Sequence, residues 1–317
     1  MPRAVVFDEI GAPDVLYLID EPLPEPAAGE VRVRIEAFGV NPVEQMMRSG
    51  AYPAPFPLPR ARIGLEGTGR IDALGADVVG LAVGDPVIIA AVPQMHVNGV
   101  YAEYTTVPAA SVIPRPAELD AVGAAAFWTA HATAYGALVE SAGLRPGDRL
   151  LINSGSSAVG LAALGIARQL GVTAIAVTRH SAKREALLAA GAESVVATDR
   201  DELPVGTVDL VLDTVRGPGL ARLAAAARMG GTLISVGWSD PRPPTYPSGL
   251  VTMMNYMGLR HTTNPDVLRR IAAFLGAGLR CGTLQPTVDR VFALDEVVAA
   301  HEYLEKGQHF GKIVVTV

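Results

Sequence analysis

Two patterns of apolar and polar positions divide the chain. Up to about residue 120, short apolar runs alternate with Gly and Pro, and residues 31–35 alternate between apolar and charged side chains. Such alternation is typical of antiparallel strands with one buried face. From about Asp120 onward, strand-length apolar runs alternate with segments of helical period. This second pattern predicts a doubly wound parallel sheet.

The end of the chain bears on the domain organisation. Two helical segments follow residue 260, and a β-branched strand at residues 312–317 closes the chain. This strand suits an edge of the first, barrel-like domain. We therefore predict an α/β protein in which residues 1–120 and 265–317 form one β-rich domain. Residues 121–264 form a Rossmann-type nucleotide-binding domain inserted into it.

The most informative local pattern is the apolar run at residues 150–152, which breaks into polar and small residues from Asn153 and resumes as a helix-like segment after Gly160. Small residues at a strand-to-helix turn allow a diphosphate to approach backbone N–H groups, and the helix dipole favours its charge. The match to G-x-G-x-x-G is Gly155, Ser157 and Gly160, so the middle glycine is replaced. An ordinary strand-to-helix turn is the alternative. The residues predicted to hold the diphosphate are Ser156, Ser157, Ala158, Val159 and Gly160.

A second β-branched run at residues 172–177 completes a βαβ unit and ends in the segment 178–184. An NAD-specific protein usually has an acidic residue there for the ribose hydroxyls, whereas this segment has hydroxyls and cations. A 2′-phosphate suits such a lining, so we predict NADPH rather than NADH, held by Thr178, Arg179 and Lys183. The alternative is a solvated helix start.

Composition excludes several classes of function. The chain has 317 residues, is 50% hydrophobic and carries a net charge of −6 without a basic block, which argues against nucleic acid as a partner. No apolar run approaches the roughly 18 residues that span a bilayer. The N-terminus lacks a signal-peptide pattern, so we expect a cytoplasmic protein without a membrane partner. The single Cys281 excludes an intrachain disulfide and a multi-thiolate zinc site, and the six histidines lack ligand spacing. We expect no catalytic metal.

Several segments carry a resemblance to a known family over nearly the whole chain. They occur in family order at residues 39–44, 48–52, 64–69, 83–87, 99–104, 133–135 and 309–314. On these segments the chain resembles the zinc-independent quinone and enoyl reductases of the medium-chain dehydrogenase/reductase superfamily. The resemblance implies a GroES-like β-barrel as the catalytic domain, a Rossmann domain for NADPH, and a homodimer. Zinc-dependent members have Cys at the position of Asn41 and His at that of Leu65, and neither replacement binds zinc well.

The resemblance also implies the chemistry. Without a Lewis acid, a nicotinamide pocket transfers hydride to an electrophilic carbon, such as a quinone ring or the β-carbon of an α,β-unsaturated carbonyl compound. Tyr52 is expected to donate a hydrogen bond or proton to the substrate, with packing beneath the substrate as the alternative. Asn41 and Thr133 are expected to orient the nicotinamide and the substrate carbonyl, with turn formation and helix packing as their alternatives. Gly237 is expected to contact the cofactor.

Two branches of the family and one other class of function stay open. The Asn153 to Gly160 pattern is similar to that of 2-enoyl thioester reductases, which act on acyl-CoA or acyl-carrier substrates. The segments 40–44 and 308–314 are closer to the quinone reductases. An NADPH-binding protein with little turnover is the alternative from another class.

The methionines Met253, Met254 and Met257 are at helical spacing with Tyr256. This spacing favours packing in the core or at a subunit interface over a substrate pocket.

Overall fold

The computed structural model describes residues 1–247 and 249–317, which fall into two compact units. The first unit comprises Met1–Thr129 and Pro286–Val317, and the second comprises Ala130–Gln285. The strands in chain order are β1 (Arg3–Phe7), β2 (Tyr17–Asp20), β3 (Glu30–Val40), β4 (Ala61–Arg62), β5 (Gly67–Leu74), β6 (Pro86–Ile89), β7 (Tyr104–Pro108), β8 (Val112–Pro114), β9 (Arg149–Ile152), β10 (Thr173–Thr178), β11 (Ser194–Ala197), β12 (Val208–Asp213), β13 (Ala227–Ser235), β14 (Thr252–Asn255), β15 (Val288–Ala293) and β16 (Lys312–Thr316).

The helices connect these strands. They are α1 (Pro42–Arg48), α2 (Met95–Asn98), α3 (Ala121–Tyr135), α4 (Ala158–Leu170), α5 (Arg184–Ala189), α6 (Leu220–Ala224), α7 (Leu259–Thr262), α8 (Pro265–Arg280) and α9 (Val297–Lys306). A π-helical turn, Gly136–Ser141, continues α3. Among the described residues, no helix has both the length and the apolar character needed to cross a bilayer.

The first unit is built around the long strand β3. It pairs antiparallel with β5, β7 and β16, and the seven-stranded sheet has the order β15-β16-β3-β5-β6-β8, with β7 paired to β3. Val31, Val33 and Ile35 are buried, whereas Arg32 and Arg34 between them are not. The alternation at residues 31–35 therefore has the predicted meaning, because one face of β3 meets the core and the other meets solvent.

The closing strand β16 lies inside this sheet rather than at its edge. It pairs parallel with β15 and antiparallel with β3, where Ile313 lies opposite Val40. Four of its five residues are buried. The predicted edge position was wrong because β15, at residues 288–293, covers the outer side of β16, and a strand paired on both sides is internal.

The second unit has a six-stranded sheet of order β11-β10-β9-β12-β13-β14, and every neighbouring pair is parallel. Counted from β9, this is the strand order 3-2-1-4-5-6 of the dinucleotide-binding fold. The central strands β9 and β12 are buried along most of their length. The predicted doubly wound parallel sheet is confirmed.

Helix α8 belongs to the second unit, whereas the predicted domain boundary lay at residue 264. The helix packs on α4: the Gln169 amide donates to the carbonyl of Phe274 at 3.3 Å, and a Cβ on Gly278 would lie 2.4 Å from the Gln169 side-chain oxygen. At its other end the unit begins at Ala130, within α3, rather than at residue 121.

The methionine segment is a strand and not a helix. Met253 and Met254 lie on β14 at the end of the parallel sheet, and Met253 and Met257 are 37% and 58% exposed. The helical spacing was misleading because the periodicity of a short apolar run does not distinguish a helix from a strand.

Candidate functional site

The segment predicted to bind phosphate turns from β9 into α4. Ser157 is the N-cap residue of α4, and its hydroxyl accepts a hydrogen bond from the backbone N–H of Gly160 at 3.1 Å. A Cβ on Gly160 would lie 2.6 Å from the carbonyl oxygens of Ser154 and Gly155, so the turn requires glycine there. The side chains of Ser156, Ala158 and Val159 are partly exposed. The turn thus presents small residues and the positive end of the α4 dipole.

Lys183 reaches this turn from the segment after β10. Its ammonium donates a hydrogen bond to the hydroxyl of Ser156 at 3.1 Å. Two residues predicted independently, one for the diphosphate and one for the 2′-phosphate, are therefore neighbours. An ammonium next to a helix N-terminus adds to the attraction for an anion.

The other residues predicted to bind cofactor lie at the carboxyl end of the same sheet. Thr178 ends β10 and is buried, and its hydroxyl accepts a weak hydrogen bond from the His180 backbone N–H at 3.4 Å. Arg179 follows it and is exposed. Gly237 lies two residues after β13, where a Cβ would come within 2.7 Å of the Thr214 carbonyl oxygen. Ligands of parallel α/β sheets bind at this edge.

A buried carboxylate, Asp213, links the strand ends beneath the turn. It ends β12 and accepts hydrogen bonds from the Asn153 amide at 3.0 Å, the Ser235 hydroxyl at 2.9 Å and the Arg216 backbone N–H at 3.0 Å. The Asn153 oxygen in turn accepts from the backbone N–H of Ser154, whose φ is 53°. Asp213 thereby supports the left-handed residue that opens the turn. Asp213 was not among the predicted site residues, although an acidic residue that ends an apolar strand is a usable signal for such a site.

The residues of this edge fit a dinucleotide. The close contacts at Gly160 and Gly237 leave backbone without side chains where a diphosphate and a nicotinamide need access. The hydroxyl of Ser156 and the ammonium of Lys183 supply donors of the kind that bind phosphate oxygens.

In the first unit, Asn41 joins β3 to α1 and is 9% exposed. Glu44 is completely buried, and its carboxylate accepts hydrogen bonds from the backbone N–H groups of Asn41 and Leu65, both at 2.8 Å. Burial raises the pKa of Glu44 to about 7, while the Leu65 N–H and the ammonium of Lys312 act in the opposite direction. This carboxyl therefore titrates near neutral pH, directly beneath Asn41.

A second buried group, Lys312, holds the Asn41 side chain. Its ammonium donates to the Asn41 side-chain oxygen and forms an ion pair with Glu66. The other carboxylate oxygen of Glu66 accepts from the backbone N–H of Thr129 at 3.0 Å. Sequence reasoning missed Lys312, Glu44 and Glu66 as site residues, although all three lie in the segments that carry the family resemblance.

Tyr52 and Thr133 occupy different units. Tyr52 follows α1, is half-buried against the core of the first unit, and donates its backbone N–H to Met46 at 3.0 Å. Asn41 and Tyr52 thus flank the same short helix. Thr133 lies on the part of α3 that belongs to the second unit, and its hydroxyl is 3.8 Å from the position of a Cβ on Gly258.

In the part of the chain that the structure describes, no three His, Cys, Asp or Glu side chains lie close enough together to hold a metal ion. At Asn41, an ammonium lies against the side chain.

Two models of protein families match the chain. The alcohol dehydrogenase GroES-like domain matches residues 27–117, and the zinc-binding dehydrogenase model matches residues 188–315.

Known proteins are similar over most of the chain. A quinone oxidoreductase from Lama guanicoe is 30% identical over 324 aligned positions, covering 99% of this chain and 97% of the relative. A polyketide synthase from Streptomyces halstedii is 32% identical over 296 positions, covering 91% of this chain and 5% of that protein. A mycobacterial protein solved in complex with NADPH is 29% identical with a TM-score of 0.91, covering 100% of both chains.

Proposed function

Because the chain belongs to the quinone oxidoreductase family of the medium-chain dehydrogenase/reductase superfamily, we propose that it is an NADPH-dependent oxidoreductase that reduces quinones. The observation that carries this proposal is the contact between Lys183 and Ser156 at the N-terminus of α4. This contact brings a residue predicted to bind the diphosphate next to one predicted to bind the 2′-phosphate, and together they offer a cation and a hydroxyl to an anion. The mycobacterial relative solved with NADPH supports the same cofactor.

NADPH supplies the hydride when it is bound. In this proposal the backbone of Ser156 to Gly160 holds the diphosphate, and Gly237 leaves room for the cofactor at the sheet edge. Thr178, Arg179 and Lys183 hold the 2′-phosphate, which distinguishes NADPH from NADH.

Three side chains act on the substrate in this proposal. The Tyr52 hydroxyl donates a hydrogen bond or proton to the oxygen that gains negative charge as hydride reaches the ring or the β-carbon. Asn41 and Thr133 orient the nicotinamide and the substrate carbonyl. Such preorganised donors are the usual substitute for a Lewis acid.

A kinetic comparison tests this function. Oxidation of NADPH is followed at 340 nm with 9,10-phenanthrenequinone and with 1,4-benzoquinone, and the KM values for NADPH and NADH are compared. We expect turnover with at least one quinone and a lower KM for NADPH. A preference for NADH would contradict the cofactor assignment. NADPH binding without turnover on any quinone or enoyl substrate would favour a cofactor-binding protein.

Reduction of the activated C=C bond of an α,β-unsaturated carbonyl compound, such as a 2-enoyl thioester, is the second candidate. The match to a polyketide synthase over 91% of the chain favours it, as does Asn153 at the start of the phosphate turn. Crotonyl-CoA in the same assay distinguishes the two candidates. A kcat/KM for crotonyl-CoA well above that for the quinones would make the enoyl substrate the main one.

We propose further that two copies of the chain pair along β14. This strand ends the parallel sheet, and exposed apolar side chains lie on and beside it, with Met253 37%, Leu250 77% and Met257 58% exposed. Apolar sheet edges of this kind are rarely left in water. Light scattering should give a dimer for the wild type and a monomer for M253K. Met229, on β13 and 78% exposed, provides the control M229K, which should stay dimeric.

A cytoplasmic location completes the proposal, and cell fractionation tests it.

A further inference from the structure

Lys312 is buried without being part of the apolar core. Its side chain is 3% exposed, and that of its partner Glu66 is 2% exposed. A buried ammonium is costly unless it is paired and hydrogen-bonded. Both conditions are met here, because Glu66 neutralises its charge and the Asn41 side-chain oxygen accepts a hydrogen bond from the ammonium. The arrangement is therefore a defined polar cluster inside the first unit.

The backbone is shaped to admit this cluster. Ile313 lies opposite Val40 across β16 and β3, so the next pair along the antiparallel ladder places Lys312 opposite Asn41. A Cβ on Gly39 would lie 2.5 Å from the Lys312 side chain and 2.6 Å from the Glu66 carboxylate. Glycine at residue 39 is thus what leaves room for the ion pair.

The Asn41 amide is held mainly by its oxygen. Lys312 binds this oxygen with a charge-assisted hydrogen bond. Among the described residues, the amide nitrogen instead makes two long contacts, both of 3.3 Å, to the Gly39 carbonyl and to Glu44. Contacts of that length are weak, so an incoming oxygen acceptor can replace one of them.

We propose that Lys312 is a positioning residue for hydride transfer: it anchors and polarises the Asn41 amide so that its N–H stabilises the substrate oxygen as that oxygen gains negative charge. This inference rests on the proposed function. An ammonium at the amide oxygen draws electron density away from the nitrogen and makes its N–H a stronger donor. The benefit is larger in the transition state, where the charge has developed, than in the bound substrate. Lys312 therefore acts on kcat rather than on cofactor affinity.

The alternative is that Lys312 only stabilises the first unit. Arg32 provides a control in the same unit, because it is a partly buried cation on β3, with its side chain 11% exposed and paired with Asp72 at 2.6 Å. Arg32 precedes Val40 by eight positions, which is roughly 25 Å of strand. The variants K312M and R32M therefore each remove a paired cation from the same unit, but of the two side chains only that of Lys312 contacts Asn41.

The experiment compares wild type, K312M, K312R and R32M with NADPH and 9,10-phenanthrenequinone or crotonyl-CoA, whichever the wild type turns over. We expect K312M to lower kcat by about 10- to 100-fold, which is less than the roughly 100- to 1000-fold that loss of an oxyanion-hole donor itself costs, because the Asn41 N–H remains in the variant. The Kd for NADPH, from cofactor fluorescence, should stay within about twofold, because the phosphate contacts are untouched. K312R should recover part of kcat, and R32M should keep the wild-type kcat.

Several results would overturn the inference. One is a kcat of K312M equal to that of R32M, and another is a loss in K312M that falls on NADPH affinity instead of kcat. If K312M does not fold, E66Q serves in its place, since it keeps the volume but loosens the anchor of Lys312; it should lower kcat severalfold, and an unchanged kcat would overturn the inference. Lack of turnover by the wild type with either substrate would instead reject the proposed function and this inference with it.

Discussion

The ammonium of Lys183 donates a hydrogen bond to the hydroxyl of Ser156 at 3.1 Å, which joins the turn after β9 to the segment after β10. In the proposed function this ammonium contacts the 2′-phosphate of NADPH. Replacing Lys183 with Met should raise the KM for NADPH by about 10- to 100-fold, as expected for one charge-assisted phosphate contact. The KM for NADH, which lacks that phosphate, should change by less than about twofold.

The neighbouring Arg184 provides a control for this change. Its guanidinium pairs with Asp201 and donates to the carbonyl of Val195. R184M should leave the ratio of the two KM values unchanged. An equal rise of the KM values for NADPH and NADH in K183M would show that Lys183 supports the turn without contacting the 2′-phosphate.

Tyr52 follows α1 at the surface of the first unit's core. Replacing it with Phe keeps the ring and removes only the hydroxyl, so the expected result is a fall in kcat of about tenfold or more from the loss of a donor to the reduced oxygen. The measurement is kcat with 9,10-phenanthrenequinone. Tyr17, whose hydroxyl donates to Asp8 at 2.9 Å in the same unit, provides the control Y17F. An unchanged kcat in Y52F would show that Tyr52 only packs beneath the substrate.

Local patterns predicted those features that depend on neighbouring residues. The run that breaks into small residues before Gly160 predicted the turn into α4, and the β-branched run at residues 172–177 predicted β10. Both follow from period and small-residue placement within about ten positions.

Contacts between residues that are far apart along the chain could not be predicted from the sequence. Lys312 meets Asn41 across 271 positions, and only the register between β16 and β3 brings them together. Nothing in the segment around Lys312 states which residue lies opposite it. The spacing of the methionines around β14 was misleading for a local reason. The strand has four residues, and so short a run does not distinguish a strand from a helix.

Asp213 is fully buried at the carboxyl end of β12, where four side-chain or backbone donors converge on it, from Asn153, Ser235, Val215 and Arg216. Replacing it with Asn puts an amide N–H against these donors. The free energy of unfolding should fall by about 2 to 4 kcal/mol, because buried donors lose a charged acceptor. The Kd for NADPH should rise as well, since Asn153 and Ser154 lose their support.

Asp209 on the same strand is the control for this change. It is partly exposed, pairs with Arg228 at 2.6 Å and accepts from the Arg149 backbone N–H at 2.7 Å. Urea unfolding and cofactor fluorescence should show a smaller loss of stability and no change in Kd for D209N. A D213N variant with wild-type NADPH affinity would show that Asp213 does not support the turn that binds phosphate.

His301 is completely buried on α9, and within the described part of the chain neither ring nitrogen has a hydrogen-bond partner. Burial, helped by the nearby Arg48, lowers its pKa to about 3. The unfolded chain takes up a proton below about pH 6.5 while the folded state does not, so stability is lost as the pH falls from there toward 3. H301L should raise the free energy of unfolding at pH 7 by about 1 to 3 kcal/mol. It should also reduce the loss of stability at low pH. H96L, a change of the same kind in α2, should do neither.

Glu44 makes the opposite contribution to pH dependence. Burial raises the pKa of Glu44 from 4.5 to about 7, so the folded state holds its proton more tightly than the unfolded chain does. The contribution to stability is complete below pH 4.5 and is lost as the pH rises toward 7, a change of about 3 kcal/mol. Urea unfolding from pH 4.5 to 7.5 should therefore show the free energy of unfolding of the wild type, taken relative to that of E44Q, falling by about 3 kcal/mol across this window. The exposed Glu118 provides the control E118Q, which should follow the wild type throughout. A difference between wild type and E44Q that is independent of pH would mean that Glu44 stays ionised in the folded protein.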